Sequence, residues 1–140
     1  MPRADFYLIA KPRFRQEPLR LVCELAKKAY EANLWTLVLA RDTAQAEALD
    51  DLLWDMGEEV YIPHQIAGDE EDELTPVVIA PPDFDEPLRP LVINLRDAPV
   101  QGSFERVLEV VPADESARGP LRERWTQYKA RGLEVNKHDM

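Results

Sequence analysis

Five short runs of almost unbroken apolar residues constrain this chain more than anything else in it: DFYLIA (5–10), WTLVLA (35–40), PVVIA (76–80), LVINL (91–95) and RVLEVV (106–111). They have strand length, and near-continuous apolarity is what a strand buried on both faces requires. Strands covered on both sides need packing layers above and below. The segments between them supply such layers. In EPLRLVCELAKKAYEAN, residues Leu21, Val22, Leu25 and Ala29 recur at helical spacing, and Pro18 suits a first helical turn. In RDTAQAEALDDLLWDMG, Asp42 or Thr43 is placed to cap a helix whose apolar stripe is Ala46, Leu49, Leu53 and Met56, with Gly57 as its stop.

The resulting order, β-α-β-α-β-β-β-α, predicts an α/β fold: a three-layer α/β/α sandwich around a mostly parallel, Rossmann-like sheet. At 140 residues, 45% of them hydrophobic, the chain can build one sizeable core, so residues 1–140 are expected to form a single domain. Two segments read as loops. AGDEEDELTP carries five consecutive acids, Asp69 to Glu73, whose mutual repulsion favours a solvated connection, and APPDFDEPLRP holds four prolines. Residues 133–140, after Gly132, are expected to fray as a tail.

Such a sheet invites a nucleotide or enzyme reading, and the strand ends do not support it. A pyrophosphate site needs glycines so that backbone can approach the phosphates, yet the turn after the first run reads AKPRFRQEP. The sheet is therefore expected to lack a nucleotide-binding loop, with no cofactor and no metal. The enzymatic alternative is a small nucleotide- or metal-dependent catalyst using Asp42, His64 and Asp97. Each has a plainer role: Asp42 and Asp97 as cap or turn formers, His64 in YIPHQIAG as a loop brace. A net charge of −10 argues against direct binding to nucleic acid or to anionic membrane. The single Cys23, in an apolar stretch, reads as a buried structural thiol and fits a reducing cytoplasm. With no signal-peptide pattern and no apolar run of membrane-span length, a cytoplasmic protein is expected.

Against this acidic background stands ARGPLRERWTQYKARG (117–132), with Arg118, Arg122, Arg124, Lys129 and Arg131 against the one acid Glu123. That is +4 locally, which leaves −14 on the rest of a chain whose total is −10. At about 100° per residue, Arg118, Arg122, Trp125 and Lys129 share an arc of roughly 60°, with Leu121 and Tyr128 to one side. Arg124 and Arg131 point elsewhere. The segment thus presents a basic edge beside an apolar face, with Trp125 on the seam.

FYLIA, RLVCELAKKAY, LARDTAQAEALDDLLW followed by IPHQIAGD, and VLEVVP…RERWTQYKARG together resemble the chi subunit family of bacterial DNA polymerase III, in order and over nearly the whole chain. The resemblance implies a non-catalytic accessory subunit of the replicase, with two protein partners. One is the psi subunit, through which the clamp loader is reached indirectly. The other is the acidic C-terminal tail of single-stranded DNA-binding protein. The family's tail-binding positions map onto Val111, Arg118, Arg122 and Trp125. A basic edge with an aromatic seam suits a peptide ending in acidic residues and a bulky apolar side chain. Where the family has a further basic residue this chain has Thr126, so Lys129, one turn from Trp125, either stands in for that charge or is idle. Gly119 and Pro120 favour a short turn over 114–118 with the main helix starting at Pro120, which weakens the alignment of Arg118 with Arg122. The psi-facing positions map onto Trp54, outside the core stripe of its helix, and Tyr61, which alternatively packs under its own loop.

Overall fold

The computed structural model describes residues 2–55, 62–68, 74–84 and 86–140. Met56, Gly57 and the acid run 69–73 lie outside them. Seven strands form one sheet: β1 (Arg3–Leu8), β2 (Thr36–Leu39), β3 (His64–Ile66), β4 (Val77–Ala80), β5 (Leu91–Asn94), β6 (Arg106–Val111) and β7 (Glu134–Asp139). Their spatial order is β3-β4-β2-β5-β6-β1-β7, and every pairing is parallel. Helices α1 (Pro12–Gln16), α2 (Pro18–Glu31), α3 (Thr43–Asp55) and α4 (Arg118–Ala130) complete the three layers.

The period of two along each strand divides the core. Tyr7, Val38, Val77, Ile79, Leu91, Ile93, Leu108 and Val110 meet α2 and α3 on one face, with Leu21, Val22, Leu25, Ala29, Ala46, Leu49 and Leu53 packed onto them. Cys23 lies in the same layer, where burial pushes its thiol up to about 12, so it is an inert apolar filler. The α3 helix starts where Asp42 Oδ1 accepts from Gln45 N at 2.7 Å and Gln45 Oε1 accepts from Arg41 N at 2.7 Å, a reciprocal cap. On the other face Ala4, Phe6, Val92, Val107, Val111 and Leu133 pack with Tyr128 of α4. Helix α4 lies over the β6-β1-β7 side of this face, with Tyr128 reaching the neighbouring β5. Over β2 and β4, a smaller cluster of Leu37, Ala67, Val78 and Ala80 is covered by Leu88 of the proline-rich segment, which has no helix or strand among its described residues.

Three elements depart from expectation. The turn after β1 contains a short helix, α1, with Pro12 in its first turn and Phe14 buried. The HQI stretch is a three-residue edge strand. Residues 133–140, expected to fray, form β7: Gly132 turns the chain at φ +86, Leu133 is buried, and Arg3–Leu8 pairs in register with Glu134–Asp139. His138 is consequently ordered, stacked on Tyr7 with centroids 4.7 Å apart and Nε2 3.1 Å from the carboxylate of Asp5.

Two charged groups are built into the sheet. Glu109, in the middle of β6, is fully buried beneath α4. Its Oε2 accepts from Asn94 Nδ2 at 2.8 Å and from the Tyr128 hydroxyl at 2.7 Å, and its Oε1 lies 2.8 Å from Nε of Arg124, itself 4% exposed. Those last two atoms have no conventional hydrogen bond among the described residues, so the ion pair closes on charge with a bent approach. Burial pushes the Glu109 carboxyl above its ordinary value, opposed by Arg124, Asn94 and Tyr128. Asp5 on β1 is buried and faces the other way. Burial would raise its pKa, but the hydrogen bonds from His138 and Arg106 and the charges of Arg106 and Arg3 outweigh that and hold it below the usual value.

Two outcomes follow. Arg124→Ala leaves the Glu109 charge buried without its counter-ion and is expected to cost about 3 kcal/mol or more in urea denaturation; a loss below about 1 kcal/mol would show the pair to be dispensable. For Asp5 the folded-state pKa is depressed, so its contribution is complete above the ordinary carboxylate range and disappears as pH falls through the folded value. Urea midpoints measured from about pH 5 downward should therefore fall less steeply in Asp5→Asn, from a lower starting stability, than in the parent chain.

Candidate interaction groove

The approach to α4 is shaped by Asp114, whose Oδ1 accepts from Ser116 N at 3.0 Å and caps a 3-10 turn over Glu115–Ala117. This turn runs directly into α4, which begins at Arg118. Gly119 and Pro120 thus do not delay the helix to Pro120. Both lie in the first turn, where backbone N–H groups have no intrahelical acceptor and proline's missing donor costs nothing.

Along α4 the side chains sort by direction. Arg124 and Tyr128 point into the core, Leu121 and Trp125 are half-buried, and Arg118, Arg122 and Lys129 are exposed. The Trp125 ring leans against Phe6 of β1, with centroids 5.2 Å apart at 45°. Between this side of α4 and the β1–β7 edge runs a groove of about 470 Å³, lined by Phe6, Leu8, Leu121, Arg122, Trp125, Thr126 and Lys137. Aromatic and aliphatic side chains make its floor, and two cations stand at its mouth. The lining contains no acid. Arg122 has no ion pair or hydrogen bond among the described residues, so its guanidinium is not committed elsewhere.

Of the residues singled out in the sequence, Arg122 and Trp125 line this groove. Val111 ends β6 at 3% exposure, packed in the same core cluster as Leu121 and Trp125 but not on the groove surface. Arg118, at the first position of α4, and Lys129, in its last turn, are solvent-facing and do not line it. Arg131 points away, donating to the carbonyls of Val100 at 2.6 Å and Gly102 at 2.9 Å. Phe6, Leu8 and Lys137 come from β1 and β7 and were not singled out. The alternation of β1 marks Phe6 and Leu8 as sharing a face, but no local signal says that α4 lies over it.

A second surface lies at the end of α3. Trp54 is 55% exposed and its ring meets that of His64, centroids 5.0 Å apart at 59°. His64 is buried, with Nδ1 2.6 Å from the carbonyl of Ile62 and Nε2 3.2 Å from the carboxylate of Asp50. It ties β3 to α3 as a brace. Tyr61 lies outside the described residues.

The residues of the enzymatic alternative have separate structural duties. Asp42 caps α3, His64 braces β3, and Asp97 sits in an exposed turn 3.6 Å from Arg41 while its carbonyl accepts from Arg124 at 2.9 Å. Among the described residues, no group of three or more His, Cys, Asp or Glu side chains is placed to hold a metal ion, and no helix is long and apolar enough to cross a membrane.

Comparison with known proteins places this architecture. In solved structures the fold resembles the C-terminal domain of the DEAD-box protein Dbp5, with a TM-score of 0.64 at 14% identity over 99% of this chain and 90% of that one. It also resembles a DEAD-box protein from Methanococcus jannaschii, with a TM-score of 0.60 at 15% identity over 96% of this chain and 41% of that one. At such identities the likeness is one of fold alone. Sequence relatives are far closer. DNA polymerase III subunit chi of Pseudomonas aeruginosa is 34% identical over 142 residues, spanning 99% of this chain and 96% of that one. The Escherichia coli K12 subunit of the same name is 32% identical over 120 residues, 84% of this chain and 82% of that one. The family model described as DNA polymerase III chi subunit, HolC, matches residues 1–136. The chain belongs to the family of DNA polymerase III chi subunits, accessory subunits of the replicative polymerase.

Proposed function

We propose that this chain is a two-sided adaptor in the replicase, holding the psi subunit through the Trp54 surface and the C-terminal tail of single-stranded DNA-binding protein through the α4 groove. Through psi it is tethered to the clamp loader, and through the tail to coated template. The observation that carries the reading is the groove itself. In a chain with a net charge of −10, an acid-free recess with an apolar floor and Arg122 and Lys137 at its mouth is built for an anionic, apolar-ended ligand. A guanidinium pairs with carboxylates by charge-assisted, often bidentate hydrogen bonds, and the Phe6–Trp125 floor receives a bulky side chain. The acidic remainder of the surface repels DNA itself, which leaves protein as the partner.

Titration of a labelled peptide, the C-terminal residues of the same organism's single-stranded DNA-binding protein, tests the groove. Arg122→Ala is expected to weaken binding by about 2 kcal/mol, roughly thirtyfold. Lys28→Ala, an exposed cation on α2, should change it less than about twofold, an effect that fades with salt. Equal losses in the two variants, or undiminished binding of a peptide lacking its last two residues, would reduce the site to a diffuse cationic surface.

The Trp54 surface is tested by co-purification with psi. Trp54→Ala should abolish the association while moving the melting temperature by no more than a few degrees, because a half-exposed ring at a helix end supports the monomer little. A collapse in stability would assign Trp54 to the fold instead.

A further inference from the structure

The groove has two cations at its mouth, and they come from opposite ends of its framework: Arg122 from the middle of α4 and Lys137 from the terminal strand. We infer that Lys137 of β7, and not Lys129 of α4, is the second carboxylate-binding residue of the groove, so that the C-terminal strand is a working wall of the site. The inference deepens the reading of the groove as a tail-capture site and rests on it.

Register fixes where Lys137 sits. In the parallel β1–β7 ladder its Cα partner is Phe6, and partners in register project from the same face of the sheet. Phe6 is the floor residue against which Trp125 leans, so Lys137 rises directly beside that floor. Opposite it, α4 presents Thr126, short and neutral, which leaves the space between helix and strand open to a ligand. Lys129 shares the arc of Arg122 but belongs to the last turn of α4 and does not line the groove. The Lys137 ammonium is uncommitted in practice: its ion partner, Asp139, is 3.9 Å away and 72% exposed, a contact worth little in water.

The neighbouring residue holds the strand in that register. His138 faces the opposite side of the sheet, stacks on Tyr7 and reaches the buried carboxylate of Asp5. A one-residue slip of β7 would turn His138 to the groove side and Lys137 to the opposite face, so the Asp5–His138 contact keeps the cation facing the ligand. The chemistry selected is a peptide with at least two carboxylates flanking a bulky apolar residue, one carboxylate for each cation.

The experiment uses the full chain and a fluorescein-labelled acidic peptide ending in Asp-Asp-Phe with a free α-carboxyl group, read by anisotropy at low salt. Lys137→Gln is expected to weaken binding about fivefold and Lys129→Gln less than twofold, with Lys137→Arg within about twofold of the parent chain. Melting temperatures of the three variants should coincide, since both lysines are exposed. If Arg122→Ala destroys binding while Lys137→Gln and Lys129→Gln behave alike, the role given to Lys137 is wrong and tail capture stands. If the parent chain does not bind the peptide at all, tail capture and the role of Lys137 fall together.

Discussion

The buried ion pair between Glu109 and Arg124 is the interaction on which the groove-bearing half of this molecule depends. Glu109 lies in the middle of β6 and Arg124 in the middle of α4, so the pair joins the sheet to the helix covering that half of it. Burying both charges costs several kcal/mol, which their attraction offsets only with further hydrogen bonds. Asn94 from β5, the Tyr128 hydroxyl and the Asp97 carbonyl provide them. An apolar pair of similar volume could hold α4 down as firmly. The ion pair adds direction, because Arg124 meets Glu109 at one rotation of the helix, and that rotation turns Arg122 outward and leans Trp125 on Phe6.

The groove is thus a by-product of how a helix is keyed to a sheet. Helix α4 crosses above β1, and it leaves a recess wherever its half-buried side chains, Leu121 and Trp125, do not reach the outermost strand. The same crossover brings β7 to the edge beside β1, adding Lys137 and closing the recess from the far side. Across the sheet the arrangement is different: α2 and α3 pack tightly, and Trp54 is left at a helix end where aromatic area stays exposed. The two surfaces lie on elements that cover opposite faces of one sheet.

The likeness to DEAD-box domains marks the limits of fold as evidence. The likeness is one of overall fold at 14% and 15% identity; in this chain the turn after β1 holds Pro12, Phe14 and no glycine and winds into α1. The groove of this chain is formed by side chains on α4, β1 and β7, and a shared fold says nothing of them.

The sequence alone determined the five central strands, because burial on both faces demands apolar runs that have no other use, and it determined α2 and α3, because helical periodicity is a local signal; of the two caps it offered for α3, the structure chose Asp42 over Thr43. It also placed Arg122 and Trp125 on one edge of a helix, which follows from helical spacing. Tertiary structure decided the rest. Strands β3 and β7 are edges, half in water, so HQI and EVNKHD carry no apolar run, and only pairing to β4 and β1 makes them strands. Arg124 reads as one more surface cation until Glu109, fifteen residues earlier, is brought beneath it. Phe6 and Lys137 lie 131 positions apart and become neighbours only through the parallel pairing of the first strand with the last. A groove walled by the first strand and by α4 and β7, more than a hundred residues later, has no local signature, because the energy that assembles it is non-local burial rather than any preference of the residues that line it.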